Sequence, residues 1–441
     1  MALCCLWKTM KIKIKTKLPG PKSLNLLKRL KKLNGSNSVP YPYFHSKEGE
    51  GCYFKDIEGN IFLDFASQIA SNPLGYNHPN LSKVVERYAK RSPIKYAGQD
   101  FPVKEHLDLL EELMTITPKG MDSAFFINSG AEAVENAMKI SIRNKNNVEF
   151  GVCFHGSFHG RSLAALSFVT SKQIYTKGYG LKIPSRILPF NETAGDELLK
   201  VLNQEGSSKI GFVIMEAVQG EGGYNVAKHK MIKDIRKITK QYKIPFICDE
   251  VQAGMGRTGK WWAIDNYNVK PDVMSSAKAL QVAATISNKK NFPNEEGAIS
   301  STWGGGHIID LAMGLEIIKT IKKDGLLSRN KKNGDYLRKR LVEIEENIPV
   351  ISNVRGLGLM NAFDLKTVKL RNDVVVECFK NGLVLLSCGG SGIRLIPPYI
   401  VGKSEIDESL DVIKKAVEDC SVKGFKHKGN ICDFMSCLKE Q

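Results

Sequence analysis

The chain contains no apolar run of about 18 residues, the length a helix needs to cross a bilayer, so no transmembrane helix is expected. Its ten cysteines form no Cys-x-x-Cys pair and no zinc pattern. Cys153, Cys248 and Cys388 sit in apolar runs and read as small core residues, which suggests a reducing compartment. No Gly-Lys-Ser/Thr follows Asn128-Ser129-Gly130, so that stretch is not a Walker loop. No internal repeat or low-complexity linker stands out. Acid is missing from the start: residues 1–34 hold ten Lys or Arg and no Asp or Glu.

That basic start accounts for much of the net charge of +18, which would otherwise suggest nucleic acid or an anionic surface. The body lacks an aromatic-basic signature for RNA, and a solvated basic tail is the preferred reading. "MALCCLWKT" has neither a basic first segment nor a long apolar stretch, so a secretory signal is not expected. Met10, opening "MKIKIKTKLPGPKS", is an alternative start. The expected location is the cytoplasm; read as a transit peptide, the basic start would send the protein to the mitochondrion instead.

With 441 residues the chain has room for about two or three domains. Apolar strands alternate with helical patterns. "SAFFIN" (123–128), "VEFGVCF" (148–154), "KIGFVIMEAV" (209–218), "IPFICDEV" (244–251) and "DVMSSA" (272–277) read as strands. "GAEAVENAMKISIRNK" (130–145) and "MIKDIRKITKQY" (231–242) read as helices. Near-continuous apolar strands between helices imply an α/β fold with a mostly parallel sheet covered on both faces. The pattern then changes. A long charged helix over about 327–347, "VRGLGLMNAFDL", another helix, "LVLLSCG", "IRLIPP" and a helix at 403–418 describe a smaller α+β domain, which the early strands of "CYFKDIEGNIFLDF" are expected to join.

Ligands of such sheets bind at the carboxyl ends of the strands, and four notable stretches lie there. Asn128-Ser129-Gly130 leads from a strand into a helix. Ser129 offers a hydroxyl, and Gly130 and Ala131 offer backbone N–H groups, a cup for phosphate; the same residues also suit a plain N-cap with Glu132 in the first turn. "GMGRTG" (254–259) is glycine-rich too, but one such string carries little. In "FHGSFHGRSLAAL", His155 and His159 have the spacing of a helical metal pair. The glycines among them favour a loop and no third ligand is evident, so no metal is expected. A flat aromatic, Phe158, beside a cation, Arg161, is the better reading. Asp249 ends an apolar strand, where a buried carboxylate requires a partner. Lys278 follows "PDVMSSA", and a lysine with a lowered pKa in a desolvated pocket forms Schiff bases. Together these fit pyridoxal phosphate: phosphate in the cup, Phe158 on the ring, Asp249 at the pyridine nitrogen, Lys278 at the aldehyde.

The sequence resembles class III pyridoxal-phosphate aminotransferases from "LPGPKS" (18–23) to about residue 418. "GYNHP", "NSGAEAVENAMK", "FHGR", "EAVQGEGG", "DEVQAGMGRTG", the lysine of "SSAKAL", "STWGGG" and "SGIRLIPP" occur in order and at suitable spacing. Within the class it is most similar to 4-aminobutyrate and L-lysine 6-aminotransferases. The resemblance implies fold type I, with a seven-stranded sheet in the large domain. It divides the chain into a basic extension (1–17), the N-terminal part of a small domain (18–74), a large cofactor-binding domain (75–325), the C-terminal small domain (326–420) and a tail (421–441). Pyridoxal 5'-phosphate is the implied cofactor, and a homodimer with shared active sites the implied assembly.

The resemblance also implies roles. Lys278 matches the Schiff-base lysine and proton shuttle, Asp249 the carboxylate under the pyridine nitrogen, and Gln252 the residue near the phenolic oxygen. Ser129, Gly130 and Ala131 match the phosphate loop, and Thr302 a threonine reaching the phosphate of the neighbouring subunit's cofactor. Arg161 matches the arginine for the carboxylate of an ω-amino acid, Arg394 the arginine for the α-carboxylate of 2-oxoglutarate, and Glu221 the glutamate that pairs with it; Glu216 is an alternative partner. Asn72 stands where related aminobutyrate enzymes tend to have isoleucine, which suits a longer or more polar donor. The cluster-binding cysteine segment of the animal enzymes is absent. The expected reaction moves the amine of 4-aminobutyrate, or the ε-amine of lysine, to 2-oxoglutarate. Ornithine or acetylornithine transamination and amino-acid racemisation are alternatives on the same fold; a non-catalytic or nucleic-acid-binding protein is the rival from another class.

Overall fold

The structure is a computed structural model that describes residues 10–35, 41–90, 95, 96, 98–143, 145–300 and 305–435. The "MALCCLWKT" segment and Thr302 lie outside the described residues. The chain forms two compact units. One comprises Met1–Pro79, Lys332–Arg355 and Asn361–Gln441; the other comprises Asn80–Lys331 and Gly356–Met360. Among the described residues no helix is long and apolar enough to cross a membrane.

The second unit is built on a seven-stranded sheet. Its strands are β1 (Ser123–Ile127), β2 (Phe150–Phe154), β3 (Ser185–Leu188), β4 (Ile210–Met215), β5 (Phe246–Asp249), β6 (Val273–Ser276) and β7 (Ala283–Ser287). Their order across the sheet is β1-β7-β6-β5-β4-β2-β3. From β6 to β3 every pairing is parallel. Only β7 runs against its neighbours β1 and β6. The sheet is therefore mostly parallel, as its apolar strands implied: β2, β4, β5, β6 and β7 are buried along their whole length.

Strand β7 was not apparent in the sequence. "AATIS" is short and small-residued, with no turn signal setting it apart from Lys278. Because β6 and β7 are antiparallel neighbours, a short connection suffices, and residues 277–282 make it. Lys278 thus rides on a hairpin between two buried strands.

Two helices of this unit matter most for the site. Helix α1 spans Gly130–Ile142 and α2 spans His229–Gln241. Ser129 caps α1 by accepting the Glu132 N–H, and Glu132 lies in the first turn where the helix dipole favours an acid. The inner face of α1 carries Ala133, Val134, Ala137, Met138 and Ile140, all buried. Val134, Ala137, Met138 and Ile140 join Phe168, Phe212, Ile214 and Ile247 in one core cluster. Each fully buried Ile or Phe there contributes on the order of 2 kcal/mol.

The first unit carries two small sheets. One orders His45–Glu50, Tyr53–Asp56, Ile61–Asp64 and Leu383–Val384. The early strands therefore join the C-terminal part of the chain, with Leu383 paired in parallel to Leu63. The other orders Ile351–Leu357, Met360–Leu365, Gly392–Leu395 and Leu386–Cys388, all in this unit except Gly356, Leu357 and Met360 at the turn between the first two strands. Beyond Cys420 the chain stays packed: Ile431 and Met435 are buried, and His427 Nε2 lies 3.1 Å from the Asp373 carbonyl oxygen.

Candidate active site

Five segments of the second unit converge at the carboxyl ends of its strands: the start of α1 after β1, the loop after β2, the loop after β4, the end of β5 with its following turn, and the hairpin after β6. They enclose a cavity of about 300 Å³ lined by Gly130, Ala131, Phe158, Glu221, Asp249, Gln252 and Lys278 among others. Residues nearly 150 positions apart thus share one site, because each terminates a strand of the same sheet.

Asp249 is the last residue of β5 and is buried. Its Oδ1 accepts hydrogen bonds from the Val251 N–H at 3.0 Å and the Ser275 hydroxyl at 3.1 Å. Its Oδ2 lies 2.8 Å from His159 Nδ1. The partner that a buried carboxylate requires is thus His159. His155 and His159 do not form a helical metal pair: they lie in the loop after β2, His155 is exposed, and His159 is turned to Asp249. Among the described residues no group of His, Cys, Asp and Glu could hold a metal ion.

Lys278 opens the short 3-10 turn of the hairpin and is half-buried. Its φ is +46°, a region that non-glycine residues adopt at a cost of roughly 1–3 kcal/mol. The turn is held by the Leu280 N–H on the Ala277 carbonyl and by two donors of Gln281, its N–H and its side-chain amide, on the Lys278 carbonyl. A lysine kept in a strained backbone conformation at the wall of a cavity is a mark of a functional position.

Glu216, just after β4, lines the same cavity and is buried. One oxygen accepts the Phe158 N–H at 2.9 Å and the other the Gly220 N–H at 2.8 Å, so it ties the Phe158 loop to the Gly220 loop. Burial pushes its pKa up to about 7; His159 opposes the rise and Asp249 adds to it. Glu221 is reached by the Tyr175 hydroxyl at 3.0 Å and by Lys172 Nζ at 3.7 Å. Arg161 is exposed, with its guanidinium carbon 4.6 Å from the Tyr175 ring centroid and 5.9 Å from that of Phe158.

Not every expected residue lines the cavity. The Ser129 side chain caps α1. Arg394 and Asn72 belong to the first unit. Arg394 is buried in Gly392–Leu395, opposite Ala362 and Leu386 of the flanking strands. Asn72 is half-buried in a loop and donates its N–H to the Ser67 carbonyl at 2.9 Å. "GMGRTG" forms a buried turn closed by the Gly256 N–H on the Trp261 carbonyl, away from the cavity lining. Two contributors went unrecognised in the sequence. The sequence suggests for His159 only a metal-ligand role, which the glycines around it do not support, although the partner that Asp249 requires is a signal for it; nothing local marks Tyr175.

The fold and this cavity define a class of enzyme. The sequence profile described as "Aminotransferase class-III" matches residues 35–417, and the chain belongs to that family. It is 35% identical over 374 residues to an acetylornithine aminotransferase of Archaeoglobus fulgidus, covering 83% of this chain and 94% of that one. It is 29% identical over 446 residues to an alanine/serine racemase of Pyrococcus horikoshii, covering 92% and 93%. Among solved structures it superposes with a TM-score of 0.82 on the lysine aminotransferase from M. tuberculosis in its internal aldimine form, at 25% identity, covering 90% of this chain and 98% of that one.

The protein is thus a transferase that works with pyridoxal 5'-phosphate, an amino donor and a keto acid. The residues present fit the cofactor. A Cβ built on Gly130 would come within 2.8 Å of Val251 Cγ1, so a side chain there would crowd the cradle at the start of α1. His159 Nε2 and Gln252 Oε1, both from residues lining the cavity, are buried without a partner among the described residues. Such atoms are costly unless a ligand satisfies them.

Proposed function

We propose that the chain transfers a terminal amino group from an ω-amino donor to 2-oxoglutarate, releasing a semialdehyde and glutamate. The observation that supports this most directly is the meeting of Lys278, the Asp249–His159 pair and Phe158 in one cavity beside Arg161. The donor classes are 4-aminobutyrate, lysine, and ornithine or N-acetylornithine. The names of the relatives favour the last two kinds: the Archaeoglobus protein is named for acetylornithine and the M. tuberculosis structure for lysine.

Bound pyridoxal 5'-phosphate supplies an electron sink for the negative charge left when a proton leaves the carbon bearing the amine. In this reading the chain's residues do the rest. The N–H groups of Gly130 and Ala131 precede the first hydrogen-bonded turn of α1 and, at the positive end of its dipole, hold phosphate. The Phe158 ring packs on a flat heterocycle. Asp249 places a carboxylate at a ring nitrogen, with His159 fixing its orientation. Gln252 offers a polar side chain to a ring substituent. The Lys278 amine takes the proton from the donor carbon that bears the amine and would deliver it to the cofactor carbon that receives the amine. Arg161 binds the distal carboxylate of the donor, Arg394 binds the α-carboxylate of 2-oxoglutarate, and Glu221 disfavours an α-carboxylate during the first half-reaction. Asn72 and Thr302 complete the proposed substrate and phosphate contacts, Thr302 from the second subunit of a homodimer.

The test is a donor panel. Purified holoenzyme is given 4-aminobutyrate, lysine, ornithine, N-acetylornithine and alanine, each with 2-oxoglutarate, and glutamate is measured. Rapid glutamate formation with at least one terminal-amine donor supports the proposal. Activity with alanine alone, or racemisation without glutamate, overturns it.

A further inference from the structure

The second unit holds another cavity, larger than the first at about 440 Å³, in the size range of small-molecule sites. It lies at the opposite ends of the elements that build the active site. Helix α1 reaches the first cavity with Gly130 and Ala131 and the second with Ile140 and Ser141. Strand β5 brings Asp249 to the first, and Pro245 before it lines the second. Strand β6 brings Val273 to the second, and Ala277 just after it lines the first.

The wall of this second cavity is basic. It includes Arg236, Lys240, Lys243, Lys270 and Lys290 against one acid, Asp272. That acid is already engaged: it pairs with both terminal nitrogens of Arg236, at 2.7 and 2.9 Å, and accepts the Phe246 N–H. Arg236 is thereby neutralised, while the four lysines have no ion-pair partner among the described residues. Lys240, in the last turn of α2, also complements the helix dipole. That reason does not extend to Lys243, Lys270 and Lys290, which lie beyond the helix. Lys243 stands just past the C-terminus of α2 with φ +54°, where glycine is the usual residue. A Cβ built on Gly120 would lie 2.7 Å from Lys270 Nζ, so the ammonium rests directly against the backbone of the cavity wall. The floor adds apolar surface from Met121, Ile140 and Ile244, and neutral hydrogen-bonding groups from Ser141 and Asn291. Like charges gathered around a concave surface repel one another unless an anion is present, and a concave wall focuses their field on it.

We infer that this cavity binds a small polyanion carrying two or more phosphate groups, either a nucleotide or free polyphosphate. The phosphates take the lysine rim; a base, where there is one, lies on the apolar floor. The site is separate from the catalytic cavity and does not depend on which donor the enzyme uses.

Titration calorimetry on the holoenzyme, with its catalytic phosphate cup already filled by cofactor, tests this with ATP and with sodium tripolyphosphate. The expected result is one saturable site per chain that weakens as salt is raised. In the Lys243→Ser/Lys270→Ser variant the dissociation constant is expected to rise roughly tenfold or more, since two charge-assisted contacts are lost. A control variant, Lys200→Ser/Lys230→Ser, removes two exposed lysines elsewhere in the unit and is expected to bind as the wild type does. Tighter binding of ATP than of tripolyphosphate identifies a nucleotide as the ligand, and the reverse identifies polyphosphate. Equal losses in both variants, absence of saturable binding by either probe, or binding of a single-stranded oligonucleotide but of neither small anion would each overturn the inference.

Discussion

His159 Nδ1 lies 2.8 Å from Asp249 Oδ2, with both side chains buried and 90 positions apart in the chain. The contact fixes one carboxylate oxygen of Asp249 while the Val251 N–H and Ser275 hydroxyl hold the other. His159→Phe keeps the volume and removes the bond. It is expected to lower kcat roughly ten- to hundredfold, the loss typical of a buried hydrogen bond to a charged group, while the protein still binds cofactor. Steady-state kinetics with absorbance titration of the cofactor checks this. A kcat within twofold of wild type would show that Asp249 needs no help from His159.

Asp249→Asn is expected to retain some cofactor and lose most of its turnover. An amide cannot stabilise a protonated ring nitrogen by charge. The measurement is single-turnover reduction of the cofactor band by the best donor; a near-normal rate would reduce Asp249 to a packing role.

Lys278→Ala is expected to lower turnover at least about a hundredfold, the scale of a lost proton-transfer group, without unfolding the chain. Circular dichroism and thermal melts establish the fold, and glutamate release reports turnover. Substantial transamination by a folded variant rejects the role given to Lys278.

Burial raises Glu216 to about 7, above its ordinary value of 4.5. Between those values the folded chain holds a proton that the unfolded chain has released. The associated stability is therefore complete below about 4.5 and is lost as the pH rises through about 7. Glu216→Gln cannot titrate, so the melting temperature of the wild type is expected to fall relative to the variant between pH 5 and pH 8. A difference that stays constant across that range would mean that Glu216 titrates alike in both states.

Glu221→Gln is expected to raise the rate with glutamate relative to a terminal-amine donor. Its carboxylate, placed by Tyr175 and Lys172, lines a cavity whose proposed substrates carry carboxylates of their own. Like charges close together in a confined site repel. The ratio of single-turnover rates for the two donor types decides it, and an unchanged ratio moves donor selection to Arg161.

The sequence by itself determined much of the frame. Apolar strands alternating with amphipathic helices dictate a covered, mostly parallel sheet, because backbone pairing and burial are both local in pattern. Chemistry at strand ends was legible for the same reason: Asp249 ends one apolar run and Lys278 follows another. Only the tertiary structure decided which strand ends meet. The sheet order β1-β7-β6-β5-β4-β2-β3 does not follow the chain, so no local pattern could seat His159 against Asp249 or bring Tyr175 to Glu221. Strand β7 escaped notice because five small or polar-flanked residues owe their strand conformation to two neighbours already in the sheet. The basic cavity escaped for a related reason. Lys240 ends a helix, Lys243, Lys270 and Lys290 come from three separate connections, and all look like ordinary solvated surface until folding gathers them around one concavity.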